Sequence, residues 1–221
     1  MNIAFLHTAQ VHVETFEALV QELAPQCKRT HHVAPELLAS AQTDGLMSIS
    51  AQTYEILEKL QTTDAVLCTC STLGPLIDSF AQTNPKVVRI DRPLMEAAVK
   101  SGPKILLGIC LESTREATLT LLNDCAKEAQ DLTYIEVIMC DAAWPYFESG
   151  DMKAFSAEID RATRQSIDQE NTPDCIVLAQ ASMGIATDVL TDLGMPILSS
   201  PMLAMQRLLT VAKTSPEISS I

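Results

Sequence analysis

The chain of 221 residues is 47% hydrophobic and carries a formal net charge of −13, enough apolar content for one large α/β domain or two small ones and too much for a disordered chain. No run of Lys and Arg is present to follow a phosphate backbone, which argues against nucleic-acid binding. An anionic ligand must therefore be drawn in by local donors rather than by the field of the whole protein.

Taken in order, strands and helices alternate. Asn2–His7 reads as a first strand, and residues 13–23 place Val13, Phe16, Leu19, Val20 and Leu23 at helical spacing. Lys28–Val33 is a second strand, followed by helices over 35–41 and 48–60. Ala65–Cys68 is a short apolar run suited to a strand buried on both faces, and it passes directly into Thr69-Cys70-Ser71-Thr72-Leu73-Gly74-Pro75. A strand is read over 86–90 and a helix from Pro93 to about Lys100. Ser101-Gly102-Pro103 is strong punctuation, after which the pattern restarts. Lys104–Ile109 is a strand ending in Cys110-Leu111-Glu112-Ser113-Thr114, and a long helix then runs to about Ala129. A strand over 132–139, an amphipathic helix over 151–169, a strand over 175–179, a short strand over 195–198 and a last helix from Pro201 complete the chain.

Such alternation predicts parallel sheets with helices on both faces, which bind ligands at the carboxyl ends of their strands. Asp64-Ala65-Val66-Leu67 and Asp174-Cys175-Ile176-Val177-Leu178 each open a buried strand that ends in a small hydroxyl-bearing loop. The chain therefore reads as an internal duplication. Seven cysteines, an odd number, fit reduced thiols of the cytoplasm better than a disulfide framework. Apolar stretches are strand-sized and no basic leader is read, so neither a membrane span nor a signal peptide is expected. No metal site is expected either. His31 and His32 are adjacent in a strand, where their side chains point to opposite faces.

The loop after Cys68 is where chemistry is expected first. Pro75 belongs in a first helical turn, so Thr69, Cys70, Ser71 and Thr72 would sit beside free backbone N–H groups at the positive end of a helix. That setting biases a thiol toward thiolate and suits a bound carboxylate. Cys70 is the candidate acid/base and His7, ending the first strand, a candidate to tune it. Cys68, still within its strand, reads as core. Ser113, Thr114, Gln180 and Ser182 occupy the corresponding loops of the second half, where the hydroxyls would serve equally as helix caps.

Residues 64–74, Arg89-Ile90-Asp91-Arg92-Pro93, 104–114 and 177–201 resemble the aspartate/glutamate/hydantoin racemase superfamily, whose members also include maleate isomerase and arylmalonate decarboxylase. The resemblance implies two pseudo-symmetric α/β lobes with a cleft between them, each lobe a parallel sheet flanked by helices. Residues 1–96 plus 200–221 would form lobe 1, and 97–199 lobe 2. It also implies no cofactor, no metal and a small carboxylate as substrate, and it leaves homo-oligomerisation open.

Racemases of that superfamily use one cysteine from each lobe. Cys70-Ser71-Thr72 matches the first, with Cys68 as the register alternative, whereas the second position falls in Gln180-Ala181-Ser182, which has no thiol. The expected activity is that of a racemase- or isomerase-like enzyme acting at the carbon α to a carboxylate, with a single cysteine. A decarboxylase or lyase of the same superfamily, and a carboxylate-binding protein without catalysis, are the alternatives. The expected substrate contacts are Thr69, Ser71, Thr72, Ser113, Thr114, Gln180 and Ser182.

Overall fold

The first strand, Asn2–His7 (β1), is buried from its second residue onward, as a strand interior to a parallel sheet must be when helices cover both faces. The computed structural model describes residues 1–167 and 172–214. After β1 come α1 (Val11–Leu23), β2 (Lys28–Val33), α2 (Pro35–Asp44), α3 (Ser50–Leu60), β3 (Ala65–Cys68), α4 (Gly74–Ala81) and β4 (Val87–Arg89). The strand order is β2-β1-β3-β4, all parallel. The second sheet uses α5 (Arg92–Ser101), β5 (Lys104–Ile109), α6 (Arg115–Ala129), β6 (Tyr134–Met139), α7 (Trp144–Ser149), α8 (Met152–Ser166), β7 (Cys175–Leu178) and β8 (Ile197–Ser199). Its order, β6-β5-β7-β8, is the first order repeated, again all parallel. The last helix is α9 (Ser200–Thr214).

Burial follows sheet position. The inner strands β3 and β7 are apolar and buried at every residue, whereas the edge strand β2 alternates between exposed and half-buried residues. The repeat extends to the devices that set register. Asp64 and Asp174 each stand just before an inner strand, and each turns its carboxylate back to the neighbouring strand. Asp64 Oδ2 accepts from the Asn2 N–H at 2.6 Å, and Asp174 Oδ2 from the Lys104 N–H at 2.8 Å. A carboxylate that accepts a backbone N–H here pins the first residue pair of a parallel ladder, where register is otherwise free to slip. Gly102, at φ +145°, is tied to the same device: a Cβ there would meet the Asp174 carboxyl at 2.6 Å.

Met1–Ile90 with the chain from Pro201 forms one compact unit, and Asp91–Ser200 the other. Residues 91–96 thus fall in the second unit, because they begin α5, a continuous helix that packs on α6 and β7. Three segments differ from the sequence expectation. The helix expected over 48–60 opens as a 3-10 turn, Leu46–Ile49, before α3. The stretch after β7, read as loop, winds into two 3-10 segments, Ala181–Ala186 and Asp188–Leu193. α7 is additional, a short helix whose Trp144 and Phe147 pack together at a 4.8 Å ring separation. α8 is capped by Asp151, whose carboxylate accepts the Ala154 N–H at 3.0 Å. It ends at Ser166, and residues 168 and 169 of the span expected for it lie outside the described residues.

Arg89 ends β4 with its side chain buried and ion-paired to half-buried Asp78 of α4. Gly74, the first residue of α4, lets that guanidinium pass: a Cβ at position 74 would overlap Arg89 Nη2 and Cζ. Gly74→Ala is therefore expected to destabilise the protein by about 1–3 kcal/mol, the usual cost of overpacking a well-filled interior. Thermal unfolding checks this, with the melting temperature lowered by about 2–4 °C per kcal/mol for a chain of this size.

Candidate functional site

At the carboxyl end of β3 the backbone stays extended through Cys70, at φ −113° and ψ 113°, before turning into the 3-10 segment Ser71–Leu73 and then α4. In extended backbone successive side chains point to opposite faces, so Thr69 and Cys70 enter different surroundings.

Cys70 turns to the face covered by α2, α3 and α4, where it belongs to the same apolar cluster as Leu73, Leu76 and Ile77 and is 8% exposed. The Thr8 and Thr72 hydroxyls and the backbone N–H groups of Thr72 and Leu73 are placed to favour a charged sulfur. Burial outweighs these donors and pushes the thiol up from its ordinary range. The bias toward thiolate expected from the helix start is thus overridden in the free protein. Cys70 rests as a thiol, with four donors placed to receive a negative charge. Cys68 is fully buried in the apolar cluster on the same face, as expected of a core residue. Ser71 and Thr72 are half-buried.

Thr69 turns to the α1 face and meets His7. Its Oγ1 lies 2.8 Å from His7 Nδ1 and 3.3 Å from the Leu6 carbonyl oxygen. His7 Nε2 lies 2.8 Å from His31 Nδ1. His7 is therefore paired with Thr69 and His31, and it is Thr8, the residue after β1, whose side chain acts on the Cys70 thiol. Burial, helped by His31 and His12, lowers the His7 imidazole to about 3, so it is neutral at ordinary pH.

The second unit builds the corresponding place differently. Ile3 pairs with Ala65 and Ile105 with Cys175, so Ala65 corresponds to Cys175 and, five residues on, Cys70 corresponds to Gln180. By the same register Thr8 corresponds to Cys110. Gln180 is 8% exposed; its Oε1 accepts from the Cys110 N–H at 3.0 Å and its Nε2 donates to Thr114 Oγ1 at 2.9 Å. Thr114 in turn donates to the Leu111 carbonyl at 2.8 Å. Both ends of the amide are thus used to brace the loops after β5 and β7. Ser113 is exposed and Ser182 half-buried. Burial raises the thiols of Cys110, Cys140 and Cys175, the last two to about 11, which leaves none of them ionised near neutral pH.

The sequence reading named the thiol loop but not the contacts made by Thr8, His31 and Glu17. Thr8 had a readable signal, a hydroxyl at a strand end adjoining His7. His31 and Glu17 had none, because their role depends on β2 and α1 lying against the same face of β1. Among the described residues no three His, Cys, Asp or Glu side chains converge to hold a metal ion, and no helix is long and apolar enough to cross a membrane.

No protein-family model matches the sequence, and no curated protein matches it by sequence. Solved structures do match in fold. An aspartate racemase from Picrophilus torridus superposes with a TM-score of 0.71 at 13% identity, over 96% of this chain and 94% of that one. A glutamate racemase from Bacillus anthracis gives 0.71 at 16% identity, over 96% and 81%. An arylmalonate decarboxylase gives 0.59 at 14% identity, over 96% and 92%. The chain therefore has the fold these enzymes share.

A histidine held neutral down to about pH 3, against 6.5 when unfolded, has a defined effect on stability. Its contribution is full above about 6.5 and is lost as the pH falls toward 3, because the unfolded chain takes up a proton that the folded one refuses. The loss amounts to about 1.4 kcal/mol per pH unit across that window. Urea unfolding of the wild type and His7→Gln at a series of pH values is expected to give the variant a shallower acid dependence by about that slope.

Proposed function

We propose that the chain is a divergent member of the aspartate/glutamate/hydantoin racemase superfamily that moves a proton at the carbon α to the carboxylate of a small amino or organic acid. Cys70 is its acid/base, and the transfer uses no cofactor. The observation that carries this reading is the position of Cys70 at the carboxyl end of β3, just before the helical turn Ser71–Leu73, where the Thr8 and Thr72 hydroxyls and the Thr72 and Leu73 N–H groups favour its charged form. The fold shared with racemases and with a decarboxylase adds to it.

The chemistry follows from charge. A thiol that gives its proton to a carbanionic carbon becomes a thiolate, and the four donors stabilise the sulfur at that moment. In the reverse direction the thiolate removes the α-proton, and charge builds instead on the substrate carboxylate. Each fixed donor to such a developing charge is commonly worth about 3 kcal/mol. Ser71, at the start of a helical segment, supplies such a donor. Thr69, Thr114 and Gln180 hold loops in place, and His7 acts through Thr69 as a positioning residue.

A second reading, one-sided protonation in the manner of a decarboxylase, is favoured by Gln180. The residue matched to Cys70 by register does not titrate near neutral pH, and its amide is already bound to Cys110 and Thr114. Incubation in heavy water with panels of amino acids, hydroxy acids and malonates distinguishes the readings. Deuterium entering the α-carbon of an unchanged acid indicates proton abstraction; deuterium found only after loss of carbon dioxide indicates the decarboxylase reading. In either case Cys70→Ala is expected to lower the rate by at least about 100-fold, the lower range for losing a general acid or base. Turnover that survives this substitution removes Cys70 from the mechanism.

A further inference from the structure

On the α1 face of the first sheet, five side chains form one unbroken line. Arg29 clasps Glu17, its Nε lying 3.0 Å from Oε1 and 3.2 Å from Oε2. Glu17 Oε2 lies 3.2 Å from His31 Nε2, His31 Nδ1 lies 2.8 Å from His7 Nε2, and His7 Nδ1 lies 2.8 Å from Thr69 Oγ1. The two imidazoles are nearly coplanar, at an interplanar angle of 10°, and Phe5 stacks beside both. Glu17 is 42% exposed at its side chain and His31 15%, whereas His7 is fully buried. The line therefore runs from solvent to the end of β3.

The chemistry of its two ends fixes where the protons are. An ionised carboxylate only accepts, so His31 Nε2 must carry a proton. If His31 is neutral, its Nδ1 is bare and accepts from His7 Nε2–H. His7 Nδ1 is then bare in turn and accepts from the Thr69 hydroxyl. If His31 takes up a proton, both of its nitrogens donate. His7 must now accept at Nε2, its own proton resides on Nδ1, and it donates to Thr69 Oγ1. The Thr69 hydroxyl proton is released to the Leu6 carbonyl, 3.3 Å away. That carbonyl already accepts the Thr69 backbone N–H at 2.9 Å and has a second lone pair for the hydroxyl.

We propose that Glu17, His31, His7 and Thr69 form a proton-coupled switch, in which one proton taken up at His31 reverses the His31–His7 and His7–Thr69 hydrogen bonds while His31 goes on donating to Glu17. The balance is simple. One proton enters at His31, His7 remains neutral and changes tautomer, and the Thr69 hydroxyl exchanges its acceptor from His7 Nδ1 to the Leu6 oxygen. Neutrality of His7 in both states agrees with how strongly its burial resists charging. Besides Arg29, the titratable groups acting on this line are His12 of α1, on His7, and Cys27, just before β2, on Arg29; the segment after β3 contributes the Thr69 hydroxyl. The switch ties the hydrogen bonding between β1 and β3 to solution pH, and it stands whether or not Cys70 is an acid/base.

Long-range proton–nitrogen correlation of the imidazoles in the 15N-labelled full chain, over a pH series from about 8 to about 5, tests this. The expected result is a His7 that stays neutral and exchanges its Nδ1 and Nε2 shifts, from the Nε2–H to the Nδ1–H tautomer, in step with the charging of His31. Glu17→Gln replaces the obligate acceptor by a carboxamide that can also donate to His31 Nε2. It is expected to populate the Nδ1–H tautomer of His7 already at the upper pH and to flatten the change. A His7 that keeps one tautomer throughout, one that becomes imidazolium within this range, or a Glu17→Gln profile that matches the wild type would each overturn the proposal.

Discussion

The alternation of side chains along an extended backbone decides the layout of the candidate site. Thr69 and Cys70 are neighbours in sequence, and because β3 continues extended through both, they are committed to opposite faces of the sheet. One network, from Thr8, Thr72 and Leu73, gathers on the sulfur. The other, from Glu17 through His31 and His7, ends on the Thr69 hydroxyl. Had the chain turned one residue earlier, the imidazole of His7 and the thiol would have shared a face. As built, the thiol works with neutral donors alone.

This separation has an electrostatic consequence. A neighbouring cation would hold a cysteine as thiolate at neutral pH and make it reactive toward any electrophile. Cys70 instead sits in an apolar cluster where the groups that favour its thiolate are hydroxyls and amides, whose stabilisation does not repay burial. These groups favour the charged form of the sulfur, and burial the neutral one. Preorganised dipoles of this kind favour a charge that develops transiently over one that is permanent.

The fold was legible because its signals are local. The apolar runs of β3 and β7, the aspartates that open them and the Ser101-Gly102-Pro103 break all lie in contiguous sequence, and parallel order follows from strands alternating with helices. The thiol loop was legible for the same reason. Its partners were not, since Thr8 lies more than sixty positions before Cys70 and reaches it only because β1 and β3 are paired. Glu17 and His31 required in addition that β2 flank β1 and that α1 cover that face. The helix-dipole argument for a thiolate failed for a different reason: it weighed the donors without knowing the depth of burial against which they act.

Gln180 brings the two halves of the duplication to their sharpest difference. Where register aligns it with Cys70, the chain has a side chain of fixed dipole instead of one that can gain or lose a proton. A carboxamide that both accepts from the Cys110 N–H and donates to Thr114 Oγ1 spends its polarity on holding two loops together. Thr8 and Cys70 meet through their side chains, whereas their counterparts Cys110 and Gln180 meet through a backbone N–H and an amide oxygen. The duplication therefore repeats the spatial relation and changes the atoms that realise it. In one unit the bond can be broken and remade as sulfur changes charge; in the other both partners are permanently neutral.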